Sequence, residues 1–249
     1  MNEETKALRR RCEDLAGRCE KSGCVTSTPF LTPAEQYELR ALPLPDGVRL
    51  RFFGGGEESE RRCALFLPWY MDEEEARTES GVRCVCLQSY YGSPGHRDYL
   101  GAALGLGIRR EWLGDILVEE DRAWVYCLQS VVQTLCELDR AGRVSVRGRE
   151  VPLSQVPAPE RKVKELRFTV KSLRLDAVCG EMFSLSRTAA AAQIRLGLVS
   201  LNYAVCDKVD APVKEGDVIS LRGKGKGSIT EVGGRSRKDR LFLTAELRI

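Results

Sequence analysis

The chain has one histidine, His96, no C-x-x-C pair, and no apolar run near the roughly 18 residues that a membrane-spanning helix needs. Each absence removes a class of protein. One imidazole cannot complete a Cys2His2 zinc site, and cysteines without two-residue spacing lack the usual zinc-ligand geometry, so no metal is expected. A glycine-rich strand-to-helix turn for a nucleotide or methyl-donor cofactor is also missing, and neither a cofactor nor a small-molecule substrate is expected. The first residues, MNEETKALRRRCEDLAGRC, mix both charge signs where a signal peptide would have an apolar block, which points to the cytoplasm and away from a membrane. The ten cysteines are scattered, and in that compartment they read as reduced, small apolar residues; Cys84 and Cys86 share one face of a strand.

What is present suffices for a folded protein: 249 residues, 43% of them hydrophobic. The net charge of +3 conceals a division. Residues 1–160 carry 21 Lys/Arg against 26 Asp/Glu, a balance of −5, whereas residues 161–249 carry 18 against 10, a balance of +8. The C-terminal third is therefore the expected polyanion binder. Three prolines from Pro152 onward mark a linker over 152–164, and the acidic run MDEEEARTESG marks a weaker boundary near residue 77.

The class predicted is α+β, in three parts. Residues 1–77 read as a small α/β unit, with helices over 3–21 and from Pro33 to Leu42, Thr32 as the cap of the second, and strands over 48–53 and 62–70. Residues 78–151 alternate as β-α-β-β-α-β, the ferredoxin-like order, but lack the aromatic strand signature with which RNA-recognition modules stack bases. In that order His96, Arg97 and Asp98 open a helix whose Leu100, Ala103 and Leu104 face the sheet. Residues 165–249 hold two short helices, on Leu175, Val178 and Met182 and then from a capping Ser186, followed by strands with basic, glycine-rich turns.

On the second of those helices Ala190 and Ile194 face a core, while Arg187, Ala191 and Arg195 form a flank on which small alanine lets a phosphate backbone approach. Lys224, Lys226, Arg235, Arg237, Lys238 and Arg240 are expected to crowd positive charge near that flank, their glycines letting backbone amides approach phosphates. Arg174, Ser186, Asn202, Lys208, Lys214 and Arg222 complete the candidate RNA-binding set.

The spacing resembles the S4 RNA-binding domain: Arg174-Leu175-Asp176, Ser186-Arg187, Ala190, Ile194, Gly197, Val199, Asn202 and Gly216-Asp217 match in order, with Leu201 for the usual valine and Tyr203 for the usual glycine. Upstream, GHRDYLGAALGLGIRREWLGDILV is similar to the hallmark segment of the YlmH family, matched at His96, Arg97, Asp98, Leu100, Gly101, Leu106, Gly107, Ile108, Arg110, Gly114, Asp115 and Ile116. The family resemblance implies a non-enzymatic factor that binds rRNA and tRNA on the large ribosomal subunit during rescue of stalled translation.

His-Arg-Asp at 96–98 also suggests catalysis, but a kinase loop needs asparagine where Ala103 stands, and a pseudouridine synthase needs leucine between its arginine and aspartate. Three uses stay open for the first 160 residues. His96, Arg97 and Arg110 form a second RNA or ribosome contact, Asp98 or Asp115 serves an RNA-modifying enzyme of pseudouridine-synthase type, or the acidic surface adapts to a protein partner.

Overall fold

The computed structural model describes residues 3–158 and 163–248, and the chain forms two compact units, 1–159 and 160–249. The expected linker is narrower than its composition suggests. A 3-10 turn at Leu153–Gln155 keeps Leu153 and Val156 packed on the first unit, and a strand has already begun at Val163; residues 159–162 lie outside the described residues.

The first unit runs α1 (Glu3–Ser22), β1 (Thr26–Leu31), α2 (Pro33–Leu39), β2 (Val48–Phe53), β3 (Arg62–Pro68), α3 (Glu73–Glu79), β4 (Val82–Ser89), α4 (His96–Gly105), β5 (Leu113–Val118), β6 (Arg122–Leu128), α5 (Val132–Cys136), β7 (Arg140–Ala141) and β8 (Val144–Val151). Thr32 caps α2 in a reciprocal box: its hydroxyl accepts from the Glu35 amide at 3.3 Å, and the Glu35 carboxylate accepts from the Thr32 amide at 2.6 Å. The helix stops at Leu39, short of the expected Leu42, although Leu42 is still buried. The acidic run expected to mark a boundary is itself helix α3, with Asp72 as its cap and three glutamates at its positive end.

Two antiparallel sheets stack here, β1-β3-β2 and β5-β6-β4-β8-β7. The stacking is written in β3 and β6, whose apolar residues run without a polar break. On β3, Ala64 and Phe66 turn toward α1 and α2, while Cys63 and Leu65 turn toward the second sheet. On β6, Trp124 and Tyr126 meet that same interior, and Ala123, Val125 and Cys127 meet α4 and α5. The order of layers is helix, sheet, sheet, helix, so the boundary near residue 77 separates two sheets that share one core. Seven of the ten cysteines are buried in these interiors or in that of the second unit, and all ten are free thiols. Burial pushes the Cys84 thiol up to about 12.

The second unit runs β9 (Val163–Val170), α6 (Leu175–Met182), α7 (Arg187–Arg195), β10 (Val199–Leu201), β11 (Ala204–Val205), β12 (Val218–Leu221), β13 (Gly225–Arg235) and β14 (Leu241–Arg248), with sheet order β11-β10-β12-β13-β14-β9. Leu175, Val178, Cys179, Met182, Ala190 and Ile194 of the helices pack on Ile219, Leu221, Ile229, Leu243 and Ala245 of the sheet. Two of the glycines of RGKGKG are required by this packing, whereas Gly223 faces open space at a positive φ. A side chain at Gly227 would collide with the Met182 sulfur, and one at Gly225, where φ is +118°, would sit 2.7 Å from the Arg248 carbonyl. Among the described residues no helix is long and apolar enough to cross a membrane.

Candidate nucleic-acid interface

In the second unit the chemistry gathers where α7 starts across α6. Gly180 permits the crossing, since a Cβ there would lie 3.1 Å from the Leu185 carbonyl. The crossing brings Arg187 to Asp176: Nε donates to Oδ2 at 2.8 Å, and Arg174 Nε donates to Oδ1 at 3.2 Å. The Asp176 side chain is only 5% exposed, against 55% for Arg187 and 40% for Arg174. One buried carboxylate thus aims two guanidiniums whose outer edges face solvent. Burial alone would raise the Asp176 pKa, but hydrogen bonds from Arg187 and Arg174 outweigh it and hold the carboxyl below its usual range. Ser186 caps α7 by accepting from the Ala189 amide at 3.1 Å.

The flank of α7 differs from expectation at one position. Arg187 and Arg195 are exposed, but Ala191 is buried together with Ala190 and Ile194, and the exposed small residue between the cations is Ala192. The domain wraps farther round the helix than a one-face pattern implies.

Asn202 and Tyr203, with φ of +50° and +70°, form the two-residue turn between β10 and β11. Tyr203 therefore takes the left-handed conformation where glycine is usual. Asn202 holds the turn from inside: its amide nitrogen donates to Asp217 Oδ1 at 2.9 Å, and its oxygen accepts from the Val218 amide at 3.0 Å. Among the candidate residues, then, Ser186 and Asn202 use their side chains to shape the domain.

The cations fall into separate groups, not the single patch expected. Lys208 is exposed on the segment whose Val209 and Ala211 carbonyls accept from the Asp176 and Leu175 amides, at the start of α6 near Arg174 and Arg187. Exposed Arg222 donates its amide to the Leu198 carbonyl, which places it beside the end of α7 with Arg195; Lys224 follows in the same turn. Lys226 stands 5.7 Å over the Tyr203 ring, and Lys214 is exposed in the bend before Asp217. Arg235, Arg237 and Lys238 occupy the other end of β13, roughly 30 Å away for a strand of this length. There Arg235 pairs with Asp239 at 2.6 Å, and Arg240 is held by Thr169 and Glu181.

In the first unit the HRD stretch is a helix entrance. Asp98 Oδ2 accepts from the Gly95 amide at 2.8 Å, and His96 and Arg97 are exposed. Buried Tyr99 and Ala103 face the core with part of Leu100, while Leu104, expected there, is 40% exposed. Arg110, expected beside His96 and Arg97, instead donates Nη1 to the carbonyls of Leu113 at 2.7 Å and Gly114 at 3.2 Å. Asp115 accepts from the Glu60 and Arg61 amides at 2.5 and 3.1 Å, tying the turn before β3 to the second sheet. Gly114 lies where an added Cβ would meet the Phe30 ring at 2.7 Å. The GDI part of the fingerprint is a joint between sheets, and both carboxylates considered for catalysis are engaged by backbone amides.

The run VRCVCLQSYY has the composition of a strand as far as Tyr91. The strand ends at Ser89, and both tyrosines are exposed in the loop before α4, at 58% and 87%. Their position just ahead of Gly92 and Pro94 was the available signal.

Residues 89–155 match the family model described as "Putative RNA-binding domain in YlmH", and residues 173–219 match the S4 domain. Over 220 residues the chain is 34% identical to "Ribosome-associated protein quality control protein P2" of Bacillus subtilis (strain 168), covering 88% of this chain and 86% of that protein. The solved structure described as "Cell division protein ylmH from Streptococcus pneumoniae" shares the fold at a TM-score of 0.54 and 23% identity, over 62% of this chain and 95% of that one.

Proposed function

This chain belongs to the YlmH family of S4-domain proteins, and on that premise we propose that it binds rRNA and tRNA on the large ribosomal subunit, in rescue or quality control of stalled translation, without catalysing a reaction. The observation that carries this is the clip in which buried Asp176 aims Arg174 and Arg187 outward. Arginine forks held in this way suit phosphate oxygens, and orientation by a carboxylate favours a folded backbone over a diffuse polyanion. Arg195, Lys208, Lys214, Arg222, Lys224 and Lys226 extend the surface, with α7 spanning about 12 Å between Arg187 and Arg195. Arg237 and Lys238 would reach a more distant part of the same RNA. The name of the Bacillus relative supports the ribosomal setting. We also read β4-α4-β5-β6-α5-β8 as the ferredoxin-like arrangement, because β5-β6-β4-β8 is its antiparallel strand order.

Filter binding of the full chain to a structured rRNA or tRNA fragment at graded salt tests the proposal. Affinity should fall steeply with salt, and Arg187→Ala with Arg195→Ala should weaken it about tenfold or more at fixed salt. Binding that ignores both salt and these arginines would refute it.

A further inference from the structure

In an open β-α-β-β-α-β sheet the face opposite the helices is available for bases to stack on. Here that face is closed, because Cys84, Cys86, Trp124 and Tyr126 lie against Phe30, Cys63 and Leu65 of the first sheet. Any RNA contact made by this part of the chain has to be at the rim. Resting on the RNA-binding function proposed above, we propose that the loop leaving β4 is a site for single-stranded RNA, in which Tyr90 and Tyr91 stack unpaired bases and Arg97, Arg143 and Arg147 hold the phosphates.

Three elements build the site. The loop from Ser89 carries the two exposed tyrosines, neither of whose hydroxyls has a hydrogen-bond partner among the described residues. The β7–β8 turn lies against this loop: a Cβ on Gly92 would sit 3.2 Å from Val144, and one on Gly142 would sit 2.9 Å from Asp98. That turn carries Arg143 beside the start of α4, where Arg97 follows His96. Arg147 pairs in register with Gln88, so it shares the sheet face of Gln88, the second residue before Tyr90 and the last but one of β4. Arg97, Arg143 and Arg147 are all exposed, and among the described residues none makes an ion pair.

The acids nearby set the direction. Asp98 is held by the Gly95 amide. The turn with Glu119, Glu120 and Asp121 lies on the β6 side, where the Asp121 carbonyl accepts from Ser89 and its carboxylate accepts from Gln88 and Arg122. An anionic strand would therefore run from the tyrosines toward β7 and β8, away from that turn. Two adjacent exposed aromatic rings, with exposed arginines on the neighbouring elements that make no ion pair among the described residues, match the chemistry of single-stranded RNA, whose bases are free to stack; a duplex keeps its bases stacked on one another.

The test titrates the full chain into a short single-stranded RNA carrying 2-aminopurine, with an rRNA hairpin as a second ligand. Stacking should quench the fluorophore. Tyr90→Ala with Tyr91→Ala should weaken single-strand binding roughly tenfold for each base lost, Tyr90→Phe with Tyr91→Phe should retain it, and Arg97→Ala with Arg143→Ala should weaken it and flatten its salt dependence. Arg187→Ala with Arg195→Ala should weaken the hairpin alone. The positions are exposed, and an unchanged melting curve would show that the variants fold. If the hairpin binds but the single strand does not, or binds equally well without the tyrosines, this site is overturned while the S4 function stands. Loss of both ligands from the unaltered chain would overturn the function and the site together.

Discussion

Asp176 shows how one residue can govern a surface it does not reach. Almost fully buried, it offers a carboxylate to two arginines that would otherwise sample many directions. Replacing it with asparagine keeps the shape but removes the charge, leaving Arg187 without its paired carboxylate and Arg174 with Asp210 as its remaining acidic neighbour. The arginines keep solvent access, so the loss should be about 1–3 kcal/mol, below that of breaking a fully buried pair. Because the folded pKa is depressed, the carboxylate contributes its stability above the ordinary aspartate value of about 3.9 and loses it as pH falls through the lower folded value. Denaturant melts at neutral and acid pH check both points: Asp176→Asn should be less stable near pH 7 and should show a shallower acid limb than the unaltered protein.

At the scale of elements, α6 is seated on β13 through one absent side chain. Gly227→Val should force Met182 and the helix away from the sheet, costing about 1–3 kcal/mol and loosening the Asp176 clip at the far end of the same helix. A lower melting temperature with weaker hairpin binding is the expected pair of results; unchanged values of both would contradict it. The two helices were legible from the S4 spacing and the Ser186 cap, because 3.6-residue periodicity and capping are local properties. The reason for glycines 225 and 227 was not, because it lies in residues more than forty positions upstream and twenty downstream. β1 was missed for a related reason. Thr26-Ser27-Thr28-Pro29 reads as a turn, and only pairing with β3 makes it a strand.

At the scale of the molecule, the first 158 residues behave as one object where composition suggested two. The apolar content of β3 and β6 was visible, but not that their second faces meet each other. A fragment of residues 78–151 would leave Cys84, Cys86, Trp124 and Tyr126 without their cover, an apolar patch that free domains avoid. That fragment should bind a hydrophobic dye or aggregate, whereas residues 1–158 should melt in a single cooperative transition. A soluble, dye-silent 78–151 would show the two sheets to be independent. The S4 motif itself was legible in the sequence, since its spacing is carried by contiguous helices and turns. The tyrosine loop was not, because its exposure depends on where the sheet ends.

The closure of the two sheets has a consequence for change over time. Substitutions along β4 or β6 are felt by a core on each side, so the strands are confined to residues of the present size and polarity. Apart from the tightly placed Gly92, Pro94 and Gly142, the loop after β4 and the β7–β8 turn carry no such obligation. What this unit recognises can therefore be rewritten at its rim while its interior stays fixed, a keel that leaves the deck free to be refitted.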